Sequence, residues 1–489
     1  MKELVQGLKV NFLGHFLRFL RAAFFLLAAY LFGPENFGIY TLVWAVADLM
    51  IRLVTLGLEQ GLLFDLSYLS GLHEEERLYR KIAASLKVAL LLSTVSSILL
   101  GLYAYFFTMT PVVRHNLYLL VPTLPLNTAG LIFLHATMGM KEMRYRVIVQ
   151  EVAFPVVMAL SLLLFSQIHV LRPYGIVLSQ CLALIVGFFL SVWAFQKFFS
   201  LKKLAEYFWS ARDYASLIGY ALPMYLIEVF DALLFRIDIF LLGAIMGTGT
   251  SEQKKLLGVY GLAKQISRVH LVTKIAFSPI FVAVSSEYHL RRESSEVWKT
   301  LRFSMEKMLL LNIPLGLFLV FFGRELLRIF GKDAALMPFD GYVGLVAGQF
   351  LYAVFSLLMI FLVVTQRSLR FLTLHFIILL ASCFLVYWAI EAYGARGAGL
   401  TSGALYALVA GATVVETFRT LKRGFFSPKS LWICFAGAVC AALIFTLKAS
   451  LPHAWGDWGR LFASFLPSLA LYFLMTVKPS QWKGLIRWN

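Results

Sequence analysis

The sequence predicts an all-α polytopic membrane protein of about fourteen transmembrane helices, and three observations predict it. Of 489 residues, 60% are hydrophobic and only 14% are charged, far too apolar for a water-soluble chain of this length. Apolar runs of about twenty residues, the length that crosses a bilayer, recur from end to end. The links between them are short, so no hydrophilic stretch is long enough to fold as a separate soluble domain. The chain opens on Met1-Lys2 and an apolar stretch, as a secretory signal does. Arginines interrupt that stretch, however, and no small-residue cleavage site precedes Gly33-Pro34, so it reads as a retained span.

The runs fall at roughly 10–32, 37–63, 83–107, 113–137, 148–170, 174–196, 217–247, 256–282, 302–322, 339–363, 371–393, 397–418, 430–448 and 460–477. The first ends on the Gly33-Pro34 stop and carries His15, Arg18 and Arg21; the second carries Asp48, Arg52 and Glu59. The third to sixth are nearly neutral, with Glu151 the main exception. The seventh holds Glu228, Asp231, Arg236 and Asp238, and the eighth Lys264, Arg268 and Lys274. The last two have no charge in their interior. Pro155, Pro223, Pro279 and Pro314 fall in or near spans, where proline permits bending.

Orientation follows from the basic residues at span ends. One set of links carries Arg77, Arg80 and Lys81, then Lys141, Arg144 and Arg146, then Lys197, Lys202, Lys203 and Arg212, and so on to Lys483 and Arg487; the alternate links hold fewer. The positive-inside bias then puts both termini in the cytoplasm, as an even span count requires. The formal net charge of +18 is accounted for by topology and attraction to anionic membrane lipids, so nucleic acid is an unnecessary partner. The four cysteines, Cys181, Cys383, Cys434 and Cys440, lie in apolar segments with no metal or redox spacing. No metal or cofactor is expected, and a monomer is.

The chain also repeats itself. "FGIY" at 37–40 opens the second span and "LGVY" at 257–260 opens the eighth, each after a glycine-containing turn and before a charged helix. Aligning these gives two pseudo-symmetric six-helix lobes, 1–200 and 201–425, followed by two C-terminal helices in 426–489, the kind of organisation in which transporters place a substrate path between repeats.

Charges inside a membrane are expensive, about 2.5–3.5 kcal/mol each on insertion scales, so they should face partners or a water-filled cavity. Here they concentrate on spans one, two, seven and eight. At 100° per residue, Lys264, Ser267, Arg268, Lys274 and Ser278 fall within a sector of about 120° on the eighth span, and His15, Arg18 and Arg21 form a drifting stripe on the first. Both stripes suit an anion. Arg18, Arg21, Arg52, Lys264, Arg268 and Lys274 are therefore the candidate substrate-binding residues, although Arg18 and Arg21 can also snorkel to the cytoplasmic surface. Asp48, Asp231, Arg236 and Asp238 are candidates for charge balance or ion coupling. Asp48 and Arg52, four apart, can neutralise each other; Asp231 and Asp238, seven apart, lie close to one helical face, with Arg236 pointing elsewhere.

The stretch "YLFGPENFGIYTLVWAVADLMIRLVTLGLEQGLLFDLS" (30–67) resembles the second-helix region of Wzx-type polysaccharide flippases, and "FRIDIFLLGAIMG" with "LGVYGLAKQI" resembles the start of their second lobe. These belong to the multidrug/oligosaccharidyl-lipid/polysaccharide (MOP) exporter superfamily. The resemblance implies a V-shaped pair of six-helix lobes whose first, second, seventh and eighth helices line a cavity. It also implies a non-enzymatic flippase carrying an undecaprenyl-pyrophosphate-linked oligosaccharide, such as an O-antigen precursor, to the outer face by alternating access. Polysaccharide polymerase or ligase machinery would be the protein partners. Arginine suits a pyrophosphate, since its fork matches phosphate oxygens. Three alternatives stand: a lipid II flippase of peptidoglycan synthesis, a multidrug cation antiporter, and a membrane glycosyltransferase or polymerase. The span count and basic inventory disfavour the antiporter, and the lack of a long outer loop or a catalytic constellation disfavours the enzyme.

Overall fold

The computed structural model describes residues 19–55, 58, 62, 66, 74–107, 110–140, 142–209, 225–226, 229–290, 294–364, 368–421, 424, 426–452 and 456–477. The described residues are mostly helical, joined by turns and short irregular links, with no strand among them. Ten helices among them are long and apolar enough to cross a membrane. In hydrocarbon this is the expected outcome, because a helix satisfies its own backbone amides and carbonyls within one segment.

The chain divides into two compact units, Met1–Leu262 with His375–Gly394, and Ala263–Leu374 with Ala395–Asn489. The first contains α1 (Phe19–Thr55), α2 (Glu75–Phe107), α3 (Pro111–Leu120), α4 (Thr123–Gly139), α5 (Phe154–Ser166), α6 (Gly175–Phe195), α7 (Leu201–Phe208) and α8 (Ile237–Met246). Helix α9 (Ser251–Ser267) begins in it and ends in the second unit. A π-helical stretch, Val147–Ala153, leads into α5 and buries Glu151. Helix α4 packs on α6 and α2, α5 on α6 and α1, and α7 on α2.

Helix α1 holds residues 19–32 of the first sequence run and 37–55 of the second. Gly33 joins them at φ 75°, ψ 172°, a conformation that glycine reaches without steric cost, and Pro34 starts the second run where its missing amide is harmless. The amphipathic α7 closes the sixth link: the Ser200 amide donates to Tyr79 Oη at 2.8 Å, and Lys203 Nζ sits 2.8 Å from Glu75. That hydrogen bond raises the Lys203 ammonium above the ordinary lysine range.

The repeated motif has a structural reason. A Cβ on Gly38 would fall 1.9 Å from the carbonyl oxygen of Lys254, and one on Gly258 would fall 1.9 Å from that of Pro34. Glycine is thus required on both sides of a crossing between α1 and α9, as at the small-residue contacts by which membrane helices approach closely. Beside it, Glu35 accepts from Lys254 at 3.0 Å and from Ser251 at 2.9 Å.

The second unit contains α10 (Leu271–Leu290), α11 (Ser294–Phe321), α12 (Phe339–Val364), α14 (Pro428–Ser450) and α15 (Gly456–Thr476). Helix α13 (Ser368–Leu421) breaks at Gly394, φ 59°, near where the sequence separates its eleventh and twelfth runs. Helix α10 packs on α11 and α12, and α14 packs on α15 and α11. Pro314 is carried inside α11 without ending it.

Candidate functional site

Three charges of the first unit, Asp48, Arg52 and Arg236, meet at Asp48 on α1. Its Oδ2 accepts from Arg236 Nη2 at 2.6 Å and Nε at 3.0 Å, and from Arg52 Nε at 3.1 Å. The Arg236 side chain is 6% exposed, so the pair is held out of water and its two bonds are charge-assisted. Arg52 is 42% exposed and is the member of the three that reaches solvent or lipid headgroups. Asp48 and Arg52 form an ion pair along α1, with Arg236 as a second cation on the same oxygen.

Asp231 and Asp238 take separate partners. The chain leaves the helical path at Phe235–Arg236, so their spacing of seven no longer runs along one continuous helix. Asp231 Oδ1 lies 3.0 Å from His375 Nε2 at the start of the first-unit part of α13. Asp238, wholly buried, accepts from Tyr260 Oη at 2.5 Å and from the Ile239 amide at 2.8 Å. Sequence reasoning passed over His375 and Tyr260; the available signal was a histidine within the eleventh apolar run and a tyrosine inside the repeated motif.

In the second unit the basic residues lie along the end of α9 and the start of α10. The eighth span is not one regular helix: a 3-10 turn, Arg268–His270, separates α9 from α10. Lys264 and Ser267 are enclosed, at 1% and 0% exposure, so this part of the expected wet face is shut. Ser267 Oγ donates to the Lys264 carbonyl at 2.8 Å and Ser278 Oγ to that of Lys274 at 2.6 Å, which turns both hydroxyls onto their own helix. Arg268 and Lys274 are partly exposed. Lys274 Nζ donates to Tyr352 Oη at 3.1 Å and stands 4.7 Å from that ring's centroid. Tyr352 itself is 1% exposed and meets the buried Tyr406 at 6.4 Å between centroids.

His270, absent from the sequence-derived set, sits at the centre of this region with no exposed surface. Its Nδ1 is 2.9 Å from Asn312 Oδ1, and Asn312 Nδ2 is 2.5 Å from Thr273 Oγ1. Arg18, Glu59, Pro223 and Glu228 lie outside the described residues, as does the side chain of Arg21. Among the described residues no three His, Cys, Asp or Glu side chains converge as a metal site. Cys181 and Cys440 are buried and donate to the Leu119 and Ser468 carbonyls, at 3.4 and 3.1 Å, which is packing chemistry.

These charge clusters are set in spans otherwise built of apolar residues. The chain is similar to the solved structure of the lipid II flippase MurJ in an inward closed conformation, with a TM-score of 0.70 and 14% identity over 96% of this chain and 98% of that one. It is also similar to a multidrug resistance MATE family transporter of the MOP superfamily. The inward-facing form gives a TM-score of 0.61 at 12% identity over 82% of this chain and 94% of that one; the outward-facing form gives 0.61 at 14% over 85% and 95%. The chain therefore shares the fold of these solved structures. Residues 4–285 match the Polysaccharide biosynthesis protein family, and the chain belongs to that family. No curated protein matches it by sequence.

Proposed function

We propose that this protein is a flippase that moves an undecaprenyl-diphosphate-linked oligosaccharide from the cytoplasmic to the outer face of the membrane by alternating access. The observation that carries the reading is the placing of Lys264, Arg268 and Lys274 on one stretch of a membrane-embedded chain whose family serves polysaccharide biosynthesis. Arg268 lies about 18 Å into the 256–282 run, near its middle, which is deep for a permanent cation and fits a doubly charged headgroup better than a surface role. Arg18, Arg21 and Arg52 would meet the headgroup on the other basic helices. Asp48 and Arg236 balance charge, and Asp231 and Asp238 are the carboxylates through which an ion gradient would act. Both termini are cytoplasmic in this reading, the lobes are 1–200 and 201–425 with 426–489 appended, and the protein works as a monomer beside polymerase or ligase machinery.

A second reading, flipping of lipid II, is favoured by the extent of the MurJ likeness. Vesicles reconstituted with the purified protein separate the two when loaded with a fluorescent undecaprenyl-diphosphate oligosaccharide, with lipid II, or with a cationic dye. Glycan flipping is expected, with Arg268→Ala inactive at normal membrane levels and Arg268→Lys partly active, because an ammonium lacks the guanidinium fork. Preference for lipid II would install the second reading. Movement of the dye alone would overturn both.

A further inference from the structure

The turn Arg268–His270 has no sequence breaker to explain it: Ser267-Arg268-Val269-His270-Leu271 contains neither glycine nor proline. In an apolar setting a break in a helix leaves carbonyls in want of donors, so something must hold it. The holding group is a closed ring of hydrogen bonds. Thr273 Oγ1 donates to the His270 carbonyl at 2.8 Å, and with that proton committed the hydroxyl accepts from Asn312 Nδ2. The Asn312 carbonyl oxygen therefore faces His270, and Nδ1 carries the imidazole proton. All three residues are buried, Asn312 and His270 completely. The ring of Phe350 on α12 closes over the imidazole at 5.6 Å, and Gly316 on α11 leaves it room, a Cβ there falling 3.4 Å from His270 Cε1. His270 is thus fixed against α11 and α12 at the point where the helix changes pitch.

That change of pitch moves the cations. A 3-10 helix turns about 120° per residue against about 100° in an α-helix, so three residues advance the following segment by about 60°. In a regular helix Arg268 and Lys274 would stand about 120° apart; with the turn they stand about 60° apart. We propose that His270, held by Asn312 and Thr273, is a positioning residue: it fixes the turn that draws Arg268 and Lys274 toward one face, from which both long side chains can reach a single diphosphate. The proposal rests on the flippase reading and names which part of its substrate the second unit measures. A diphosphate engages both cations together, whereas a monophosphate is served by either, so misalignment costs the first ligand more than the second.

The test uses the full-length protein in detergent, with farnesyl diphosphate, farnesyl monophosphate and farnesol as probes of binding. Wild type should bind the diphosphate most tightly. His270→Phe keeps the volume and removes the hydrogen bond; Asn312→Leu removes the partner. Each should lower the ratio of diphosphate to monophosphate affinity about tenfold, the loss of roughly one charged hydrogen bond. His270→Asn, which retains a donor near the Nδ1 position, should recover most of that ratio. Should His270→Phe fail to fold, Asn312→Leu and Thr273→Ala carry the same comparison. Lower thermal stability with an unchanged ratio would make the ring merely structural and overturn the proposal. No preference for either phosphate over farnesol in the wild type would instead remove the flippase reading beneath it.

Discussion

Asp48 shows what an intramembrane carboxylate is for in this chain. Two arginines, one 188 positions away in sequence, share its Oδ2, and the Arg236 side chain has only 6% of its surface left to water. Removing the anion leaves that guanidinium enclosed without a countercharge, a change that typically costs about 3–5 kcal/mol. Asp48→Asn is therefore expected to lower the unfolding temperature of the detergent-solubilised protein strongly. The apolar double variant Asp48→Leu with Arg236→Met should recover much of it, because the buried charge goes with its partner. An unchanged midpoint in Asp48→Asn would show that Arg236 has another sufficient anion. The sequence announced that these residues needed partners, since each is too expensive to insert alone. It named only the local one, Arg52, four positions along the same helix, because pairing across helices depends on packing that no spacing rule reaches. Asp231 with His375 and Asp238 with Tyr260 were hidden for the same reason.

At the scale of helices, the glycines of the repeated motif matter more than its aromatic ends. Gly38 and Gly258 occupy corresponding positions, and each would drive a Cβ into the backbone of the opposing helix, at the carbonyl of Lys254 or of Pro34, also corresponding positions. Backbone cannot step aside as a side chain does. Gly258→Val should force α1 and α9 apart, with a loss of stability of about 1–3 kcal/mol or more and a loss of transport. Gly411→Ala, where a Cβ meets nothing within 4 Å, is the helical control expected to be harmless. Thermal unfolding and flipping assays of the two variants check this; equal behaviour would mean that the crossing is not tight. The motif itself was legible as a repeat, and so were the joints at Gly33 and Gly394, where each run ends at glycine. The breaks at Phe235–Arg236 and Arg268–His270 were not, because no glycine or proline marks them and only tertiary hydrogen bonds hold the second. Helical-wheel reasoning carried through those breaks as if the spiral were continuous. It therefore put Asp231 and Asp238 on one continuous face and ran the basic sector of the eighth span straight through the turn.

For the whole molecule, apolar composition and the rhythm of its runs made the membrane fold legible, whereas the energy source of transport depends on how charge moves. An anionic headgroup travelling outward under an inside-negative potential gains about 2.3 kcal/mol per elementary charge per 100 mV if its charge crosses the whole field uncompensated. If Arg268 and Lys274 hold it as proposed, the complex is nearly neutral, and the potential then acts on the emptied cations as they return. Either leg couples transport to the potential, because the full and empty states differ in charge. Dissipating the potential at constant pH and sodium is accordingly expected to slow glycan flipping in reconstituted vesicles. Lys274→Gln should move part of that dependence from the empty leg to the loaded one while leaving the charge carried per cycle unchanged. If a sodium or proton gradient proves necessary as well, Asp231→Asn and Asp238→Asn separate the two carboxylates: the one that binds the ion should lose gradient dependence while retaining headgroup binding. Full-rate flipping with the potential and both gradients collapsed would contradict active export. The basic residues would then serve a passive scramblase, in which the same cations ease the headgroup through the membrane in both directions.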